Sequence, residues 1–313
     1  MIKDVSLRVA YGEALANLGV ENERVVVLDA DLAHATMTSM FAEKFPQRFF
    51  NYGIAEQNLM CAAAGFAHTG LVPFVSTFAL FGAGRAYEMI RNSIAYGNMN
   101  VKIACSHSGI SVGEDGGSHQ AIEDISLMRV IPNMTVLVPC DPLETKKAVK
   151  AAASIYGPVY IRVARPIVKN ITNESTPFEI GKAVTLREGK DFAICATGLM
   201  TERALAAAEI LQKHGIETKV INFHTLKPFD KDTIRKIAGE VKGIVSAEEH
   251  SVIGGLGSAI AESLVGHIPR NILFECVAIM DKFGKSGKPE ELFTEFHLTA
   301  SDIVENVLKM ANS

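Results

Sequence analysis

Short apolar runs alternate with helix-length segments along most of this chain, and that alternation is the strongest constraint on its fold. The runs Val25–Asp29, Pro73–Thr77, Val101–Ser106, Thr135–Val138 and Val159–Val163 are β-rich and largely apolar throughout. Strands of that kind belong in a sheet covered on both sides, as in parallel α/β folds. Between them the pattern predicts helices near Ser6–Leu18, Ala55–Thr69, Gly84–Ile94, Ile122–Val130 and Leu143–Ser154. From Pro166 to Lys190 the sequence turns polar, and it reads as a linker or a peripheral hairpin. The alternation then restarts with predicted strands Phe192–Ala196, Thr218–Asn222, Gly243–Ser246 and Ile272–Val277. Helices are predicted at Thr201–His214, Asp230–Ala238, Ser258–Val265 and Ala300–Met310.

The expected fold class is therefore α/β in two units. A parallel sheet flanked by helices comes first, and a smaller α/β domain follows. The expected boundaries are residues 1–170, a linker at 171–188, and residues 189–313. A length of 313 residues suits two domains of roughly 150 each.

Charge and composition exclude several functions. The 31 basic and 35 acidic side chains leave a formal net charge of −4, with no global basic field for a nucleic-acid backbone. No apolar run reaches the length of a membrane span. The first residues, MIKDVSLRVAYGEAL, lack the apolar stretch of a signal peptide, so a cytoplasmic protein is expected. Cys61, Cys105, Cys140, Cys195 and Cys276 are scattered in apolar runs without a CxxC pair. They read as small buried hydrophobes rather than a disulfide or zinc set.

Four segments carry groups suited to chemistry. In Gly53-Ile54-Ala55-Glu56-Gln57-Asn58, Glu56 stands where a short strand (Phe49–Tyr52) meets a helix of small residues. It either complements the helix dipole or is a buried acid poised for proton exchange. In Ser76-Thr77-Phe78-Ala79-Leu80-Phe81-Gly82, two phenylalanines three apart follow a strand. At helical spacing they share a face, as core or as a platform for a flat heterocycle. The run His107-Ser108-Gly109-Ile110-Ser111-Val112-Gly113-Glu114-Asp115-Gly116-Gly117-Ser118-His119-Gln120 is the most informative. Its four glycines demand a loop with special backbone needs, at the strand end where α/β sheets place ligands. It also carries two histidines and two acids, in a spacing that fits no familiar metal pattern, so no metal ligands are assigned. In Arg162-Val163-Ala164-Arg165-Pro166, an arginine pairs with an acid or clamps an anion; the sequence leaves this open. Gly254-Gly255-Leu256-Gly257 lacks the dinucleotide fingerprint and reads as a tight turn.

In this order, GIAEQN, STFALF and HSGISVGEDGGSHQ resemble the C-terminal portion of transketolase, from about Arg8 to Met310. The resemblance is to the pyrimidine-binding domain followed by the transketolase C-terminal domain. It is most similar to the C-terminal subunit of split, two-polypeptide transketolases. It implies a transferase using thiamine diphosphate, with Mg²⁺ (or Ca²⁺) bound mainly by an N-terminal partner subunit. The GDG…N motif for that diphosphate and metal is not found in this sequence. The implied assembly is a heterotetramer acting on sugar phosphates.

Residue by residue, Glu56 matches the glutamate that exchanges a proton with N1′ of the cofactor's aminopyrimidine. Phe81 and Phe78 match its aromatic pocket, and Asp31 and Leu32 match residues beside the cofactor. His107, Asp115 and His119 match contacts to the substrate's phosphate, a hydroxyl and the donor carbonyl end, which gives His119 a catalytic place beside Glu56. Arg8 and Arg165 match arginines that hold the sugar phosphate. One departure stands out: a family phosphate-binding serine falls at Ala35, beside Thr36. No catalytic residue is implied in the second domain, whose expected role is packing and assembly. The alternatives are a subunit of a deoxyxylulose-phosphate-synthase-like or 2-oxo-acid decarboxylating enzyme, and a non-catalytic binding module of the same fold. Deoxyxylulose-phosphate synthases usually carry Arg where His107 stands.

Overall fold

A computed structural model describes residues 5–267 and 272–312. Two helix-covered sheets dominate it. A seven-stranded sheet runs in the order β12-β6-β7-β5-β4-β2-β3. These strands are β2 (Val25–Asp29), β3 (Phe49–Asn51), β4 (Val72–Phe78), β5 (Lys102–Ser106), β6 (Thr135–Leu137), β7 (Val159–Arg162) and β12 (Thr225–Lys227). All pairings are parallel except that of β12 with β6. A five-stranded sheet runs β14-β13-β10-β11-β9. It comprises β9 (Val184–Arg187), β10 (Phe192–Ala196), β11 (Thr218–Asn222), β13 (Gly243–Ser251) and β14 (Leu273–Ile279), with only β9 antiparallel. The short strands β1 (Val5–Ser6) and β8 (Ile167–Val168) form an antiparallel ribbon.

Every residue of β2, β4, β5, β7 and β10 is buried, as the two-faced apolar runs predict. The helices start where local chemistry allows. Helix Leu7–Glu21 begins after Ser6, whose hydroxyl accepts from Val9 N. Helix Pro142–Ser154 begins after Asp141, which accepts from Glu144 N, with Pro142 in its first turn.

Three expectations change. The predicted helix Gly84–Ile94 is instead a broken segment. Wide π-type turns at Leu80–Arg85 and Ile90–Ala95 flank the short helix Tyr87–Met89. Such turns recur at functional sites because they re-aim side chains. The stretch Pro166–Lys190 is tied into the fold rather than free, since β8 pairs with β1 and β9 with β11. Cys61 is exposed on the outer side of helix Glu56–His68, whereas Cys105, Cys140 and Cys195 are buried.

The two units are fused more tightly than their sequence patterns imply. Strand β12 returns from beyond β11 to extend the first sheet. Each of the two apolar clusters draws from both units. One joins Leu15 and Phe74 to Ile194 and Val307, the other Leu28 and Ile103 to Ile221 and Ile260.

Candidate active site

The site residues gather at the carboxyl ends of the first sheet's parallel strands, where such sheets leave a crevice. After β3 the chain turns through Gly53, at φ 67°, and helix Glu56–His68 begins. That turn places Glu56 in the first helical turn, only 1% exposed. Its Oε2 accepts from Arg85 Nη1 at 2.8 Å. A buried carboxylate needs such a partner, because burial without one is costly. The Arg85 guanidinium also lies 4.6 Å from the centre of the Phe81 ring.

Phe78 is the last residue of β4, and Phe81 stands in the wide turn that follows. The two therefore do not share a helix face, but their rings stack 6.2 Å apart at 22°. His107 stacks on Phe78 at 3.9 Å, and His119 meets Phe81 edge-on at 5.3 Å. His107 follows β5 with φ 56°, and its Nδ1 is 2.9 Å from Ser106 Oγ. Burial pushes its pKa down to about 3, helped by the charges of Arg8, Arg165 and His119. His107 is thus a neutral hydrogen-bonding ring at ordinary pH.

Around this set, Arg8 Nη1 donates to Ala35 O at 3.0 Å. Arg165 donates to Val112 O and, at 3.3 Å, to Glu114 Oε2. The buried Asp29 carboxylate accepts from Leu32 N at 2.6 Å and from Thr36 and Thr38 hydroxyls at 2.8 and 2.9 Å. It thereby shapes the turn that carries Asp31, at φ 64°, and Leu32. Asp31 Oδ1 accepts from Asn51 Nδ2 at 2.8 Å, linking this turn to the one before Glu56.

The sequence-predicted residues Glu56, Phe78, Phe81, His107 and His119 thus form one continuous set through Arg85, with Arg8 and Arg165 in electrostatic reach. Asp115 stands exposed at the outer end of the loop. Arg162 resolves differently from Arg165: it is buried, and its Nε pairs with Asp124 at 2.9 Å. Sequence reasoning missed Arg85, because a lone basic residue after glycines carries no local signal. It also read Gly254–Gly257 as a mere turn. The N–H groups of Leu256 and Gly257 hold the buried Glu248 carboxylate at 2.7 and 2.9 Å. A cavity of about 560 Å³ beside β14 is lined by none of the site residues. Among the described residues, no group of three His, Cys, Asp or Glu side chains could hold a metal ion. No described helix is long and apolar enough to cross a membrane.

The donor set suits an aminopyrimidine ring. It offers a buried carboxylate for a ring nitrogen and an aromatic wall beside it. The Thr77 hydroxyl, buried next to Phe78, has no protein partner.

Fold and site together describe an α/β unit with a buried carboxylate beside an aromatic wall, joined to a second α/β unit. The family model "Transketolase, pyrimidine binding domain" matches residues 3–170, and "Transketolase, C-terminal domain" matches residues 181–303. The chain belongs to the transketolase family, whose members are thiamine-dependent transferases. It is 46% identical over 305 residues to a putative transketolase C-terminal section of Methanocaldococcus jannaschii, covering 97% of this chain and 95% of that one. It is 41% identical to a 6-deoxy-6-sulfo-D-fructose transketolase subunit of a Clostridium species, covering 95% and 92%. Human transketolase is 37% identical, and the match covers 97% of this chain but only 48% of that protein. A solved split-gene transketolase, described as an inactive β4 tetramer, superposes with TM-score 0.89 at 49% identity over 98% of both chains.

Proposed function

We propose that this chain is the C-terminal subunit of a two-polypeptide transketolase, active only with an N-terminal partner. The pair transfers a two-carbon ketol unit from a ketose phosphate to an aldose phosphate. The observation that carries this reading is a pyrimidine-side set, Glu56 with Phe81, in a chain that matches only about half of human transketolase. The sequence holds no GDG…N motif for a diphosphate and its metal. Those groups, with Mg²⁺ or Ca²⁺, fall to the partner, and two such pairs make a heterotetramer.

Bound thiamine diphosphate supplies the carbanion stabilisation that no side chain can provide. This chain's residues bind and orient. Glu56 exchanges a proton with the pyrimidine N1′, and its burial keeps bulk water from competing. Phe81 and Phe78 wall the ring, and Asp31 and Leu32 lie beside it. His107, neutral and stacked on Phe78, and His119 hydrogen-bond the sugar, with Asp115 at a hydroxyl. Arg8 and Arg165 hold the anionic end.

The Ala35 position favours a second reading of that anion. It offers no hydroxyl, and its carbonyl is taken by Arg8. A relative at 41% identity is named for a sulfonated ketose. A ketose carrying a sulfonate in place of phosphate is therefore the alternative donor. Reconstituting the chain with a GDG-bearing partner and assaying xylulose 5-phosphate, 6-deoxy-6-sulfofructose and pyruvate separates these readings. Robust turnover by this chain alone, or CO₂ release from pyruvate as the main reaction, overturns the proposal.

A further inference from the structure

The glycine loop of the first unit is held by the second. Ser111 N donates to Glu249 Oε1 at 2.6 Å across the junction. Glu249 lies on β13 and is buried. Its backbone is fixed in turn, since Arg162 Nη2 donates to its carbonyl at 3.0 Å while Arg162 Nε holds Asp124. A Cβ on Gly109 would stand 2.3 Å from Glu249 Oε1. The grip continues along the loop. Gln120 Nε2 donates to Ile110 O, Gly113 O and Lys285 O at 3.2, 3.2 and 2.9 Å. Ser286 Oγ donates to Glu114 O at 2.6 Å. A Cβ on Gly117 would stand 2.6 Å from Gly284 O, and one on Gly113 or Gly116 would touch Pro289 or Ser286. All four glycines thus face the second unit. Their freedom serves close approach of two protein segments, at the cost of a loop with little stiffness of its own.

We propose that Glu249 is a positioning residue for the site, setting where the Gly109–His119 loop stands over the Phe78–Phe81 wall. The inference rests on the reading above of His119 and Asp115 as sugar contacts. The physical case is direct. A short N–H to carboxylate bond is among the stronger hydrogen bonds, and it is made at the loop's most buried turn. Displacing a positioned group by about 1 Å can cost on the order of 100-fold in rate.

The test uses the full chain, alone for exchange and paired for kinetics. In the unaltered chain, the Ser111 amide is expected to exchange at least tenfold more slowly than that of Asp115. Equal rates overturn the proposal, whatever any variant does. Glu249→Ala is expected to speed exchange across 108–120 tenfold or more and to leave 192–196 unchanged. In the reconstituted pair it should raise the sugar KM at least fivefold and leave thiamine diphosphate affinity within twofold. A merely structural role would lower the active fraction, and so kcat, without moving KM. An unchanged loop or an unchanged KM sinks the idea. Glu249→Gln keeps an acceptor for Ser111 and should recover most of both effects. If the unaltered pair shows no ketol transfer, the functional reading fails by itself, and the exchange rates still decide the clamp.

Discussion

Arg85 Nη1 and Glu56 Oε2 lie 2.8 Å apart, and the two partners differ sharply in environment. Glu56 is 1% exposed, while the Arg85 side chain is 43% exposed. Arg85 therefore covers the mouth of a buried acid. Replacing it leaves the carboxylate without its cation. Full burial of both would make that loss worth several kcal/mol, but solvent screens the exposed arginine. Arg85→Met is expected to lower stability by about 1 kcal/mol, read from the urea midpoint of the isolated chain. No change in midpoint would mean that water already satisfies Glu56.

Glu56→Gln keeps the shape and removes the exchangeable carboxyl proton. In the reconstituted pair, kcat should fall at least ~100-fold, the lower bound of the range for lost general acid–base catalysis. A coupled assay of triose phosphate release measures it. Activity within twofold of the unaltered pair would falsify the proton role.

Three buried histidines make the chain sensitive to acid. Burial lowers His107 to about 3, and His224 and His250 to about 4. Below the ordinary value of 6.5 the unfolded chain binds these protons and the folded chain does not. Their contribution to stability is full above 6.5 and is lost as pH falls toward the folded values. Glu144 and Glu248 act oppositely, since burial raises both to about 7. Their contribution is full below about 4.5 and is lost as pH rises through 7. Against that background His107→Gln should flatten the slope of stability with pH by about one proton, ~1.4 kcal/mol per pH unit, between pH 4 and 6. Urea unfolding at several pH values checks it.

Two glycines should respond in opposite directions. Gly65 lies inside helix Glu56–His68, and an added Cβ there would meet nothing within 4 Å. Gly65→Ala should stabilise the isolated chain by about 0.5–1 kcal/mol. Gly117→Ala drives a methyl onto Gly284 O at 2.6 Å and should cost about 1–3 kcal/mol. Thermal unfolding of both variants against the unaltered chain decides.

Much of the fold was legible in the sequence. The runs Val25–Asp29, Phe192–Ala196 and Thr218–Asn222 are strands with the predicted ends; for the first two, burial on both faces leaves an apolar signature that needs no tertiary context. The segment around Gly84–Ile94 was not legible. Its small and apolar residues suit a helix, and only packing against helix Glu56–His68 and the end of β4 decides between α and π turns. The candidate site divides the same way. Glu56, Phe81 and the glycine loop stand out by residue type and order, whereas Arg85 and Glu249 do not.

The sequence by itself determined two α/β units, a family, and a loop whose glycines require freedom. Those properties are local, written in periodicity and short motifs. Tertiary structure alone decided what the freedom is for. Residues 138 positions apart, Ser111 and Glu249, meet only because the units share a core and a sheet edge. Burial then turns that meeting into a strong bond, because a carboxylate withdrawn from water holds the nearest N–H group.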